Sequence, residues 1–145
     1  MFLKELNNDE KRAFANLIYK LAEIDKKLAK NEKKLIKEYL KELEIKEDGF
    51  SKLSYNEIMF VLTKSTDRKK KIIYFELLGL ALVDGNYEEK EIDYLDKVAS
   101  ELGLTRVNKI AFANFFYKFK VKHNVPIIKT EGKEINLESE AEKLF

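Results

Sequence analysis

Apolar residues recur along the chain at the three- and four-residue spacing that gathers them on one face of a helix. Phe14, Leu17, Ile18 and Leu21 follow Asn7-Asn8-Asp9-Glu10, whose side-chain oxygens suit the orphan N–H groups of a first turn. The spacing predicts a helix from about Asp9 to Ile24. Leu35, Ile36, Tyr39, Leu40 and Leu43 mark a second from near Lys30 to Glu44, stopped by Glu47-Asp48-Gly49. Ser54-Tyr55-Asn56-Glu57 has the spacing of a capping box, which opens a short third helix ending near Lys64. Asp67 is placed to cap a fourth helix that carries Ile72, Phe75, Leu78 and Leu82 to about Val83. Beyond Lys71 that helix is apolar almost all round, as a central helix is. A fifth runs from about Glu88 to Leu102, with Gly103 as its stop, and Thr105 caps a sixth that sets Phe112, Phe115, Phe116 and Phe119 on one face. Past His123 the pattern weakens. Val125-Pro126-Ile127-Ile128 and Gly132 read as an extended or turn-rich tail, to which any strand should be confined, and residues 137–145 as a last short helix. The expectation is an all-α bundle of six to seven helices in one domain, 1–145, with the fourth and sixth helices deepest.

Sliding the chain by 59 residues aligns Ala22-Glu23-Ile24-Asp25 with Ala81-Leu82-Val83-Asp84. The match extends to Ile18 on Leu77, Leu21 on Leu80, Glu32 on Glu91, Ile36 on Leu95, Leu43 on Leu102 and Ile45 on Leu104. Each copy is a helix, a tight turn opened by Asp, and a second helix with Glu near its start. Two such hairpins, about 10–45 and 69–104, cannot each bury an apolar face alone, so they should pack together beneath the third and sixth helices.

Composition agrees with this. Of 145 residues 45% are apolar, with only five Gly and one Pro, too few turn-formers for a many-stranded sheet. The absence of cysteine removes a disulfide framework, a thiol nucleophile and thiolate metal ligands, and fits a reduced cytoplasmic setting. The apolar runs are too short for a membrane span, and none follows the first Lys as in a signal peptide, so no membrane role is expected.

The stretch Ala81-Leu82-Val83-Asp84-Gly85-Asn86-Tyr87-Glu88-Glu89-Lys90-Glu91, with its weaker first copy, resembles the TerB-like domains of tellurite-resistance proteins. The same helical domain occurs at the front of a membrane-anchored J-domain co-chaperone. The resemblance covers residues 9 to 122 and implies a non-enzymatic stress or signalling module. Lys26 stands where the first copy should have glycine, and no His-Pro-Asp tripeptide marks a J-domain.

Asp84-Gly85-Asn86-Tyr87-x-x-x-Glu91 also matches the second half of a calcium-binding EF-hand loop. Leu80 and Leu82 occupy positions where the first half needs carboxylates, so an ordinary EF-hand is excluded. With the hairpins side by side, Asp25, Glu32, Asp84 and Glu91 could converge into an all-oxygen site for a divalent cation such as calcium. The resemblance implies metal binding at such acids as well. The other reading is local: Asp-Gly is turn chemistry, and Glu91 is placed to satisfy orphan N–H groups at a helix start.

The 28 basic and 26 acidic side chains leave a formal charge of +2, unevenly spread. Residues 26–46 hold eight Lys against four Glu, a net of +4, whereas residues 84–101 hold two Lys against seven acids, a net of −5. Such a dipolar surface suits a protein partner or salt-sensitive association. Lys118-Phe119-Lys120-Val121-Lys122 and the run Arg68 to Lys71 could suggest nucleic acid. The phenylalanines beside them share a core face, however, and only Tyr117 points elsewhere, so nucleic acid is not expected. His123, the sole histidine, has no nucleophile beside it in sequence. The readings are therefore a TerB-like module binding a divalent ion or a protein partner, a structural interaction domain of a chaperone or phage system, and, in third place, a carboxylate–metal hydrolase.

Overall fold

A computed structural model describes residues 2–24, 33–46, 51–82, 88–123 and 135–145, with the backbone alone at 33, 35, 119–123 and 135–138. A 3-10 turn, Leu3–Glu5, leads into α1 (Asn8–Ile24), α2 (Lys33–Glu42), α3 (Tyr55–Leu62), α4 (Asp67–Ala81), α5 (Glu89–Glu101), α6 (Arg106–His123) and α7 (Ile135–Glu142). Among the described residues there is no strand, so the all-α bundle is as expected. The tail at 124–134 lies outside the described residues.

At α1, α3, α4 and α6 the helix starts where a side chain satisfies free N–H groups. Asn7 Oδ1 accepts from the Glu10 N–H at 2.8 Å while Glu10 Oε1 accepts from the Asn7 N–H at 2.9 Å. Ser54 and Glu57 form the expected reciprocal pair at the head of α3. Thr105 and Asn108 make the same exchange before α6. At α4 the cap is Thr66 and not Asp67. Thr66 is extended and its hydroxyl accepts from the Lys69 N–H, whereas Asp67 already lies in the first turn, where a carboxylate complements the helix dipole.

The 59-residue repeat is legible in these boundaries. α1 and α4 begin at equivalent positions, after Asn7 and Thr66, and α2 and α5 both end there too, at Glu42 and Glu101. Both second helices close in a Schellman motif. The Ile45 N–H reaches the Leu40 carbonyl and the Leu104 N–H the Ala99 carbonyl, each at 2.9 Å, past a left-handed residue: Glu44 at φ 59° and Gly103 at φ 75°.

α4 is the centre. Residues Ile72 to Ala81 are all buried, and Phe75 is ringed by Phe2, Phe112, Phe115, Phe116 and Phe145 at centroid distances of 4.8–6.2 Å. Gly79 lets α6 come close, because a Cβ there would lie 3.0 Å from the tip of the Phe116 ring. α3 packs along α1, and α1 also meets α2, α4 and α5. Asn16, buried on α1, locks the approach to α3: its amide oxygen accepts from the Leu53 N–H at 2.8 Å and its amide nitrogen donates to the Ser51 carbonyl at 3.1 Å. Arg68 draws the outer ends in by bonding both Glu5 and Glu142.

α6 departs from expectation. Phe112, Phe115 and Phe116 are buried as its core face, but Val107, Ile110 and Tyr117 are exposed, so α6 buries one side only.

The Glu44 conformation yields a test. A side chain in the left-handed region costs about 1 kcal/mol or more relative to glycine. The ion pair Glu44 makes with Lys11, at 3.8 Å with the carboxylate largely in water, offsets little of that. Glu44→Gly should therefore raise unfolding stability in urea by roughly 0.5–1 kcal/mol, and Gly103→Ala should lower it by about 1 kcal/mol. Loss of stability in Glu44→Gly would show that the carboxylate matters more than the backbone.

Candidate functional site

Of the four acids that could form a cation site, Asp25, Glu32 and Asp84 lie outside the described residues. Glu91 is described. It is fully buried in the first turn of α5, and its Oε1 accepts from the Glu88 N–H at 3.4 Å. This is the placement of a helix-start residue. Among the described residues no three His, Cys, Asp or Glu side chains gather closely enough to hold a metal.

The best-connected polar cluster lies instead between α1 and α4. Glu10, buried, accepts from Ser65 Oγ at 2.5 Å and from Lys69 Nζ at 2.9 Å, besides the Asn7 N–H. A groove of about 260 Å³ runs past it, lined by Asn7, Asp9, Phe60, Val61 and Lys64. A serine beside a carboxylate has the outline of a nucleophile and base. Its electrostatics do not. Burial would raise the Glu10 carboxyl, but the bonds from Ser65, the Asn7 N–H and Lys69 outweigh it and hold the group below the usual carboxylate range. A carboxylate so stabilised is a poor proton acceptor, and the cluster acts as a clamp. Glu10 and Lys69 are also repeat mates, 59 residues apart, and they contact each other directly at 2.9 Å.

A second groove, about 420 Å³, lies between α1 and the end of α2, lined by Asn8, Lys11, Arg12, Leu43, Glu44, Ile45 and Lys46. It carries the cations Lys11, Arg12 and Lys46 with the Glu44 carboxylate set among them.

Two features escaped the sequence reading. Glu76 is wholly buried in α4 and accepts a 3.4 Å hydrogen bond from the buried Tyr39 hydroxyl. Their repeat mates are Leu17 and Val98, both buried and apolar. That 59-residue comparison was the available signal: an acid sits where the first copy has leucine. Burial pushes the Glu76 carboxyl up to about 7, with Glu42 pushing the same way. It likewise raises the Tyr39 hydroxyl, reinforced by Glu76.

The other feature is the outer face of α6. Val107 is 74% exposed, Ile110 50% and Tyr117 77%, and with the exposed Asn114 they form one stripe at spacings of three, four and three. Of these, the sequence pattern points to exposure of Tyr117 alone. α6 contains Arg106, Lys109, Lys118, Lys120 and Lys122 and no acid. Among the described residues no helix is long and apolar enough to cross a membrane.

No protein-family model, curated protein or solved structure matches the chain.

The buried acid sets the pH response. A carboxyl whose folded value lies above its unfolded one holds its proton better when folded. Stability is then full below about pH 4.5, falls as pH rises to about 7, and stays low beyond. Glu5 and Glu10, held below their usual range, act in the opposite sense and lose their contribution as pH falls beneath about 4.5. Urea unfolding should accordingly show a maximum near pH 5 and lose on the order of 3 kcal/mol by pH 8. Glu76→Gln should abolish the alkaline loss; a profile unchanged by that substitution would exonerate Glu76.

Proposed function

We propose that this chain is a TerB-like helical module that works by binding a partner protein and carries out no catalysis. The supporting observation is the apolar stripe on α6. In a domain that has buried Phe112, Phe115 and Phe116 from the same helix, Val107, Ile110 and Tyr117 remain in water. A helix apolar on two faces with only one in the core is a surface awaiting cover. Three of the polar groups buried with the core, Glu10, Asn16 and Glu91, are bonded to helix starts and to the segment before α3, and Glu76 is bonded by Tyr39, which supports a structural use for each.

Site-specific photo-crosslinking in the native host tests this reading. A benzoylphenylalanine at 110 or 117 should give a discrete adduct, while one at Ser100 or Lys41 should not. No discrete adduct from either position on α6 would overturn it.

A divalent cation at Asp25, Glu32, Asp84 and Glu91 is the ligand that the resemblance adds. An amide NMR titration with Ca²⁺ should then give saturable shifts clustered at 84–91 with a dissociation constant on the order of 10⁻⁴ to 10⁻³ M. Spectra unchanged at millimolar Ca²⁺ would remove the ion and leave the partner.

A further inference from the structure

Resting on that reading, we propose that the stripe Val107–Ile110–Asn114–Tyr117 docks an amphipathic helix of a partner protein whose flanks are acidic. The spacing of three, four and three is that of successive a and d positions in a heptad, with Val107 and Asn114 at a and Ile110 and Tyr117 at d. A lone asparagine at an a position lowers affinity but fixes register and favours two strands, which suits a face meant for one helix.

Charge decides which helix fits. On this register the flanking e and g positions are Arg106, Ala111, Ala113, Lys118 and Lys120, cationic towards both ends with no acid among them, so acidic flanks on the partner are the complement. Lys109, off the seam, pairs with Asp96 at 3.5 Å. A second copy of the same face would bring no acid to the cations of either helix. A bilayer surface is disfavoured by Asn114, which would sit in the middle of the inserted face with no helix to bond it. A partner helix can supply both an asparagine opposite Asn114 and glutamates along the rims.

The test uses the full chain and a fluorescein-labelled synthetic peptide of three heptads, with Ile at a, Leu at d, Asn at the central a and Glu at e and g. Fluorescence anisotropy should show saturable binding that weakens with salt. A matched peptide with Lys at e and g should bind at least about tenfold more weakly. Ile110→Ser together with Tyr117→Ser should weaken the acidic peptide by about tenfold or more with an unchanged circular dichroism spectrum, since both side chains lie outside the core. Equal binding of the two peptides, no binding of either, or full binding by the double variant would overturn the proposal. So would phosphatidylserine vesicles bound through this face without the peptide, which would make it a membrane surface. Dimerisation of the chain that the double variant abolishes would assign the face to a second copy. Adducts at 110 and 117 in cells alongside a failed peptide would leave the module reading standing and remove only the acidic helix.

Discussion

The constraint on which the structure depends is that α4 is surrounded. Ten consecutive residues, Ile72 to Ala81, are buried, so every side of the helix needs a neighbour. No single hairpin can supply them. α5 turns back along α4 from the same repeat, α1 crosses from the other, and α6 closes the remaining side with three phenylalanines against Phe75. The close approach of α6 rests on Gly79, where even a methyl group would meet the Phe116 ring. Phe2 and Phe145 fill what is left around Phe75, and Arg68 holds both of their segments through Glu5 and Glu142. Loss of Phe75 would open the meeting point of five rings, the kind of cavity that costs 3–5 kcal/mol as a rough range.

The duplication explains where the two halves can differ. Backbone geometry is shared to the residue at the helix starts after Asn7 and Thr66 and at the stops at Glu44 and Gly103. Side chains are free to diverge wherever the backbone tolerates it. Glycine is comfortable in the left-handed position, and glutamate occupies its equivalent at a cost. Leu17 of the first copy stands where the second has Glu76, and Val98 of the second where the first has Tyr39. That polar pair is a local conflict with an otherwise apolar interior, tolerated because the hydroxyl bonds the acid and the acid keeps its proton at moderate pH.

Much of the fold was legible because it is written in local chemistry. The capping pair Ser54 and Glu57, the stop at Gly103 and the phase of the phenylalanines on α6 are short-range signals, and the helices begin and end within a few residues of where those signals lie. Asp67 misled because Thr66, one residue earlier, was the better-placed oxygen once the backbone turned extended there. The depth of α6 misled for another reason. Apolar content says that a helix wants cover; it does not say that the same chain provides it. Glu76 was hidden because periodicity counts apolar positions and passes over one acid among them. The candidate cation site was legible only as residue types, since whether Asp25, Glu32, Asp84 and Glu91 meet depends on two turns that lie outside the described residues.

The same distinction separates the parts of this surface that hold the fold from those left for recognition. Glu10, Asn16 and Glu91 are polar, buried and bonded; removing any of them would strand N–H groups at a helix start or free the segment before α3. The α6 stripe is the reverse: apolar, exposed, and dispensable to the core beneath it. A polar residue at any of the three would cost the fold almost nothing, so their apolar register is the feature on which the proposed recognition rests. The cations on the same helix then narrow what can be recognised, since an apolar seam confers affinity with little discrimination whereas like charges on a wrong partner exclude it.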